Sequence, residues 1–392
     1  MSLVHNSLSD ALEWVENQNF KGYDPYDGPN SQVLNNLISK GGRSRFYIQQ
    51  LFKRLPINLR SQFQIKKGYN PKALGLLLSV YSKMYKLDPK EKYIDLCERI
   101  IKILIRTKSN FSNLSWGYNF DWIGKEFFLK KYNPSIVVTS TVIRGLFDFY
   151  HISNNEQIIK MIASSSKFIM EDLPRFETSK EICFSYTPFF ENKVHNANLL
   201  GAESLVRHYS LSGCSKSKEF ASKAFDYTIK RQLPDGSWTY SDTLHQSRIQ
   251  TDWHQGFIID SIYEYLKLVD NKKEYLDALM KGSDYYQTVQ FKKDGTCYWR
   301  YPKYWPIDIH NQSQGIITFA KISEFNKRFY DFSNIIAIWT IKNMQSKAGF
   351  FYHQKWPKLI NKIPYIRWSQ SWMLYALVTL SEKQKNEAIN QE

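Results

Sequence analysis

A short aromatic turn motif recurs six times along the sequence, and that repetition restricts the possible fold more than any other feature. The copies are Gly22-Tyr23-Asp24-Pro25-Tyr26, Gly117-Tyr118-Asn119-Phe120, Cys183-Phe184-Ser185-Tyr186, Gly236-Ser237-Trp238-Thr239-Tyr240, Gly295-Thr296-Cys297-Tyr298-Trp299 and Gly349-Phe350-Phe351-Tyr352. From Gly117 onward they start at 117, 183, 236, 295 and 349, gaps of 66, 53, 59 and 54 residues; the gap from Gly22 to Gly117 is 95. A period of this size means one supersecondary unit per copy, each burying its apolar face against its neighbours. Six units predict a closed ring with a central cleft, and a cleft is where small polar ligands bind.

Each turn is followed by a polar segment and then a helical pattern. The expected helices are 72–85, 136–150, 199–209, 256–268, 314–325 and 369–381. Their starts carry Asn, Asp or Pro, which cap a first turn or are tolerated in it. A second set alternates with them, at 91–106, 156–170, 217–232, 274–291 and 332–344. These hold apolar residues at helical spacing, such as Tyr93, Leu96, Ile100, Ile103 and Leu104, together with most of the Lys and Glu. The first set, less charged and richer in Gly, Ala and Ser, reads as an inner ring; the second reads as an outer ring. The expected fold is therefore all-α, an (α/α)6 toroid of about six helical hairpins. It forms a single domain over 1–392, with 1–50 less regular and partly lying over the mouth.

Composition narrows the function classes. No run of 18 apolar residues occurs, so no membrane-spanning helix is expected. The first ten residues lack the pattern of a secretory signal. The four cysteines (97, 183, 214 and 297) show neither zinc spacing nor a disulfide framework, which points to the cytoplasm and to no metal or cofactor. The net charge of +16 is spread along outer helices rather than gathered in a stripe, which argues against nucleic acid and leaves an anionic glycan as a partner. Aromatic residues make up 16%, and many Trp and Tyr stand beside turn residues, where they can stack on sugar rings or close hairpin ends.

The inner-helix starts collect the residues that carry chemistry. Asp121, Asp252 and Asp308 are candidate carboxylates for splitting a glycosidic bond, which needs two of them facing each other. His254 and His310, each two residues after an Asp, are candidate acid–base groups, and a pair of such histidines could epimerise a sugar or support a lyase step. Candidate substrate-binding residues are Asp24, Tyr26, Trp116, Asn119, Trp122, Tyr186, His195, Asn198, Trp238, Trp253, Gln314, Arg367, Trp368 and Gln370. The aromatics would stack on sugar faces, the amides and carboxylates would bond hydroxyls, and Arg367 would hold a carboxylate or phosphate. Asp260, in the apolar stretch 257–262, is a candidate for a raised pKa.

The segment Gln232-Leu233-Pro234-Asp235-Gly236-Ser237-Trp238 resembles the Q-x-x-D-G-S-W turn of terpene cyclase and prenyltransferase toroids, which also occurs in six-hairpin glycosidases. The chain has no Asp-x-Asp-Asp motif, and its cysteines are poorly placed for the prenyltransferase zinc. The strings FKGYDPY (20–26), WGYNFDW (116–122), VHNANLLG (194–201), IDIH (307–310) and IPYIRWSQSW (363–372) resemble bacterial proteins of exopolysaccharide and surface-polysaccharide biosynthesis, over residues 10–380. That resemblance implies a six-hairpin-like toroid and a polysaccharide role, with oligo- or polysaccharide as ligand and membrane-bound assembly machinery as a neighbour. The leading expectation is a glycoside hydrolase or polysaccharide lyase. The alternatives are a sugar epimerase or isomerase using paired His, and a non-catalytic glycan-binding or scaffold protein.

Overall fold

The computed structural model describes residues 2–37, 42–124, 127–243 and 247–389. Its helices are α1 (Leu3–Asn17), α2 (Gln32–Leu37), α3 (Gly42–Arg54), α4 (Pro71–Leu87), α5 (Glu91–Arg106), α6 (Ile136–Ser153) and α7 (Glu156–Lys167). They continue as α8 (His195–Ser212), α9 (Ser215–Ile229), α10 (His254–Leu268), α11 (Lys273–Gln290), α12 (Ile309–Ile322), α13 (Lys327–Met344) and α14 (Ser371–Ile389). The even-numbered helices from α4 to α14 pack each against the next, and α14 returns to α4, closing an inner ring. These helices are buried almost all round; α4 hides Ala73, Leu74, Leu76, Leu77, Leu78, Val80 and Tyr81 together. The outer helices bury one stripe only, such as Tyr93, Cys97, Ile100, Ile103 and Leu104 on α5.

The sixth hairpin joins the two ends of the chain, because α1 packs outside α14 and against α13. The irregular first 50 residues thus supply one outer helix and, through α3, a cover over the mouth. The Gln49 side chain donates to the Ile123 carbonyl and accepts from the Ile123 amide, tying α3 to the far rim.

Only three of the six turns are true copies. Gly236, Gly295 and Gly349 have φ of 93°, 85° and 91°, and each donates its amide to the carbonyl three residues earlier. That left-handed backbone is why glycine stands there. Gly22 instead bridges Gly68 across an antiparallel pair, and Cys183 lies in a strand. The small sheets near the turns pair β1 (Trp122–Ile123) with β2 (Phe128–Leu129), β3 (Arg175–Glu177) with β4 (Ile182–Phe184), and β5 (Ile307–Asp308) with β6 (Gln354–Lys355) and β7 (Ile360–Asn361), all antiparallel.

The inner helices approach closely where glycine allows it. A Cβ on Gly145 would stand 2.4 Å from the Gly75 carbonyl oxygen, backbone against backbone. Gly145→Ala should therefore cost about 1–3 kcal/mol of stability by forcing α4 and α6 apart, read as a lower midpoint in urea denaturation.

Candidate functional site

The polar segments expected to precede the inner helices are mostly their first turns. α8 begins at His195 rather than 199, and α12 at Ile309 rather than 314. Local caps set these starts: Asn70 accepts from the amides of Lys72 and Ala73, Ser135 from Val138, and Asp308 from His310. The inner-helix N-termini converge on one cavity of about 210 Å3. Lys72 of α4, Val137 of α6, Asn196 of α8, His254 and Phe257 of α10, and His310 of α12 form its floor. Arg367 and Trp368, from the turn before α14, close the ring of contributors.

Loops make the walls. Tyr118, Phe120 and Trp122 come from the α5–α6 loop, Tyr186 follows β4, and Tyr240, Arg248 and Trp253 precede α10. Tyr26, Lys53 and Arg300 complete the wall. The aromatic rings brace one another: Tyr118 stacks on Phe120 at 5.1 Å, Trp122 meets Tyr186 at 5.2 Å, and Trp253 meets Trp368 edge-on at 5.2 Å. Lys53, on the covering helix, donates to the Tyr26 hydroxyl at 2.6 Å.

The two histidines differ in setting. His254 is half-buried, and its Nδ1 lies 2.5 Å from Oδ1 of Asp252, which also accepts the His254 amide. Burial opposes the Asp252 charge, but His254 and the nearby Arg300 and Arg248 prevail and hold its carboxyl down at about 2. The second oxygen of Asp252 is 3.5 Å from Arg300. His310 is 1% exposed and stacks on Trp253 at 4.9 Å, and neither ring nitrogen has a hydrogen-bond partner among the described residues. Burial first, then the charges of Lys72 and Arg367, push His310 well below its ordinary value, so its ring is neutral.

Of the expected site residues, Tyr26, Trp122, Tyr186, Trp253, His254, His310, Arg367 and Trp368 line this cavity. Arg367 does hold a carboxylate bidentately, but that of Asp24, at 2.6 and 2.8 Å. Asp308 stands behind the wall, where it accepts from Trp368 Nε1 at 3.0 Å and Gln354 Nε2 at 2.6 Å. Burial raises its carboxyl above the ordinary range. Asp121 anchors Arg45 of the covering helix at 2.6 Å and accepts the Lys131 amide. No described carboxylate lines the cavity.

The remaining expected residues bind the protein itself. Trp116 and Trp238 are fully buried and donate to the carbonyls of Leu104 and Thr228, pinning the turns to the ends of α5 and α9. Asn198 and Gln370 clasp the backbones of Phe184 and Phe351, and Asn119 accepts from Asn70. Gln314 donates to Asp260 and Thr318 inside the ring. His195 faces Asp242 at 3.0 Å and Thr228, so its placement differs from that of His254 and His310. On α8 the cavity-facing position is the next residue, Asn196, because one step turns the side chain by about 100°.

Lys72, Lys53, Arg248 and Arg300 were not anticipated. A lysine in the first turn of the apolar run PKALGLLLSVY was a legible signal for the first of them. A larger groove of about 480 Å3 adjoins the cavity and shares Lys53, Trp253, Arg300 and Trp368 with it. Trp299, Trp356, Asp308 and His353 line the groove beyond. Among the described residues no group of three or more His, Cys, Asp or Glu is arranged to hold a metal ion, and no helix is long and apolar enough to cross a membrane.

No protein-family model and no curated protein matches the sequence. Solved structures do match. A Listeria innocua protein superposes with a TM-score of 0.66 at 14% identity, covering 98% of this chain and 99% of that one. Cellobiose 2-epimerase from Bacillus thermoamylovorans gives 0.63 at 14% identity, over 81% of this chain and 90% of that one. A GH76 alpha-mannanase from Bacteroides thetaiotaomicron gives 0.62 at 11%, over 82% and 88%. At these identities the likeness is one of fold, and the chain has the (α/α)6 toroid fold.

Proposed function

We propose that the protein is a carbohydrate-active enzyme that moves a proton at the carbon beside a sugar carbonyl, the chemistry of an epimerase or isomerase. One observation carries this reading. Two imidazoles from successive inner helices, one oriented by a carboxylate and one with both nitrogens unpaired, open into a single cavity that no described carboxylate lines. The neutral His310 takes the C2 proton as the C–H electrons form the enediolate, whose oxygen charge the Lys72 and Arg367 side chains offset. His254, fixed by the ionised Asp252, returns a proton to C2, giving the epimer, or to C1 while the 2-hydroxyl proton passes to O1, giving the ketose, and both rings re-equilibrate with water. The likeness in fold to a cellobiose 2-epimerase supports the same class.

Hydrolysis is the second reading, favoured by the opposite shifts of Asp252, held low, and Asp308, raised by burial. The likeness to the mannanase supports it. The strings that resemble exopolysaccharide proteins support a place in a surface-polysaccharide pathway, and four cysteines without a disulfide fit a reducing compartment.

The deciding experiment incubates the protein in D2O with neutral and uronate-containing mono- and disaccharides and follows them by NMR. Loss of the C2 proton signal with growth of a C2 epimer or ketose is the expected result. New reducing ends without exchange would transfer the reaction to Asp252 and Asp308. Binding with neither change would make the protein a non-catalytic glycan binder.

A further inference from the structure

Five buried cations of this ring have a carboxylate partner: Arg60 has Asp27, Arg144 has Glu203, Arg207 and Lys321 share Glu264, and Arg367 has Asp24. Lys72 does not. It is 4% exposed, with its Nζ over the rings of Trp372 at 5.3 Å and Phe257 at 5.6 Å. Among the described residues its Nζ has neither a hydrogen bond nor a carboxylate within 4.0 Å; its backbone amide is bonded to Asn70. A buried ammonium without a counter-ion is costly, and this one lines the cavity. Beside it are the two unpartnered nitrogens of His310 and the unpartnered Oδ1 of Asn196, all buried. Arg248 and Arg300 add positive charge to the wall, and the inner-helix N-termini add their dipoles.

We infer that the substrate is an acidic saccharide of at least two units, its anionic group seated on Lys72 and a second unit lying in the groove beyond Trp253 and Trp368. This rests on the carbohydrate reading above and names the substrate of that same site. The 210 Å3 cavity is about the size of one sugar unit, while the 480 Å3 groove that shares its wall presents the half-buried rings of Trp299 and Trp356. A sugar ring there has an apolar face to set on each indole and hydroxyls for Gln50, Gln354 and Arg54 at the groove edge. Burial, then Arg367 and Arg144, push Lys72 well below its ordinary value. An anion seated beside it favours its ammonium form.

The test measures binding rather than turnover. Isothermal titration compares a panel of uronate-containing disaccharides, their carboxyl-reduced neutral counterparts and the free uronates, with wild type, K72M, K72R, W356A and H254A. Acidic disaccharides should bind wild type at least about 30-fold more tightly than their reduced counterparts. K72M should bring the two to within about threefold, and K72R should keep the preference. W356A and the free uronates should each lose about tenfold. Equal affinity for acidic and reduced forms, a preference that survives K72M, or no binding by any acidic member would overturn the inference. Should K72M melt below the assay temperature, K72Q takes its place, and the wild-type comparison stands in either case. H254A should keep the acidic preference whatever happens to its affinity, so loss of turnover in the NMR exchange assay without loss of that preference separates the reaction assignment from the substrate assignment.

Discussion

Replacing His254 with alanine is expected to lower turnover by about 10²–10⁴-fold while leaving the overall fold intact, because the side chain is half-buried at the cavity surface. Asp252→Asn should produce much of the same loss, of about 10²-fold. Its Oδ1, 2.5 Å from Nδ1, fixes which nitrogen faces the substrate, and the amide cannot balance a positive ring. His310→Ala should match His254→Ala in rate but open a void beside Trp253, Trp368 and Trp372, so it should also lower thermal stability. Asp308→Asn separates the two readings of the site. Proton transfer between the histidines should survive it within about tenfold, whereas hydrolysis through a carboxyl acid should fall by about 10²-fold or more. The measurement is kcat and KM in the NMR exchange assay, with circular dichroism to confirm folding. Wild-type turnover in His254→Ala would refute the assignment.

Glu203→Ala should be the most damaging single change to stability, at about 3–5 kcal/mol. Glu203, 2% exposed, accepts from Arg144 through both carboxylate oxygens, from Arg207 at 3.0 Å, and from Ser261 at 2.9 Å. Removing it strands the Arg144 guanidinium inside the ring and leaves Arg207 with Glu264 alone. The consequence for pH follows from the same cluster. Burial opposes the charges of Glu203 and Glu264, but the facing Arg144, Arg207 and Lys321 hold both carboxyls below their ordinary 4.5. A depressed carboxyl stabilises the fold above its unfolded value and loses that contribution as pH falls through the folded one. Stability should therefore decline steadily below about pH 4.5, offset in part by Asp260 and Asp308, whose carboxyls burial pushes up. Urea midpoints between pH 3 and pH 7 check both statements. A Glu203→Ala midpoint within error of wild type would show that the cluster contributes little.

The ring itself was legible in the chain, because burial leaves a periodic trace. α5 shows a one-sided stripe, α4 is apolar nearly all round, and the difference between them separates outer from inner helix before any coordinates. The turn glycines at 236, 295 and 349 were legible for the same local reason, since a left-handed φ selects glycine wherever it occurs. The copies at 22 and 183 look alike in sequence but have other backbones, and sequence spacing cannot tell a left-handed turn from a bridge or a strand.

The site was legible only in part. His254 and His310 could be found from their place at inner-helix starts, as could Trp253 and Trp368. His195, equally placed in the chain, faces Asp242 because the phase of a helix is set by its packing and not by its first residue. Asp252 and Asp308 read as candidate catalytic carboxylates; which group each one binds was decided by elements as much as 60 residues away, such as Trp368. The sequence by itself determined that inner and outer helices alternate, because burial periodicity is local. Tertiary structure alone decided which charges are compensated. Arg367 meets Asp24 across 343 positions of chain, the Lys72 ammonium has no described carboxylate within 4.0 Å, and no pattern in the sequence distinguishes these two cations before the ring closes.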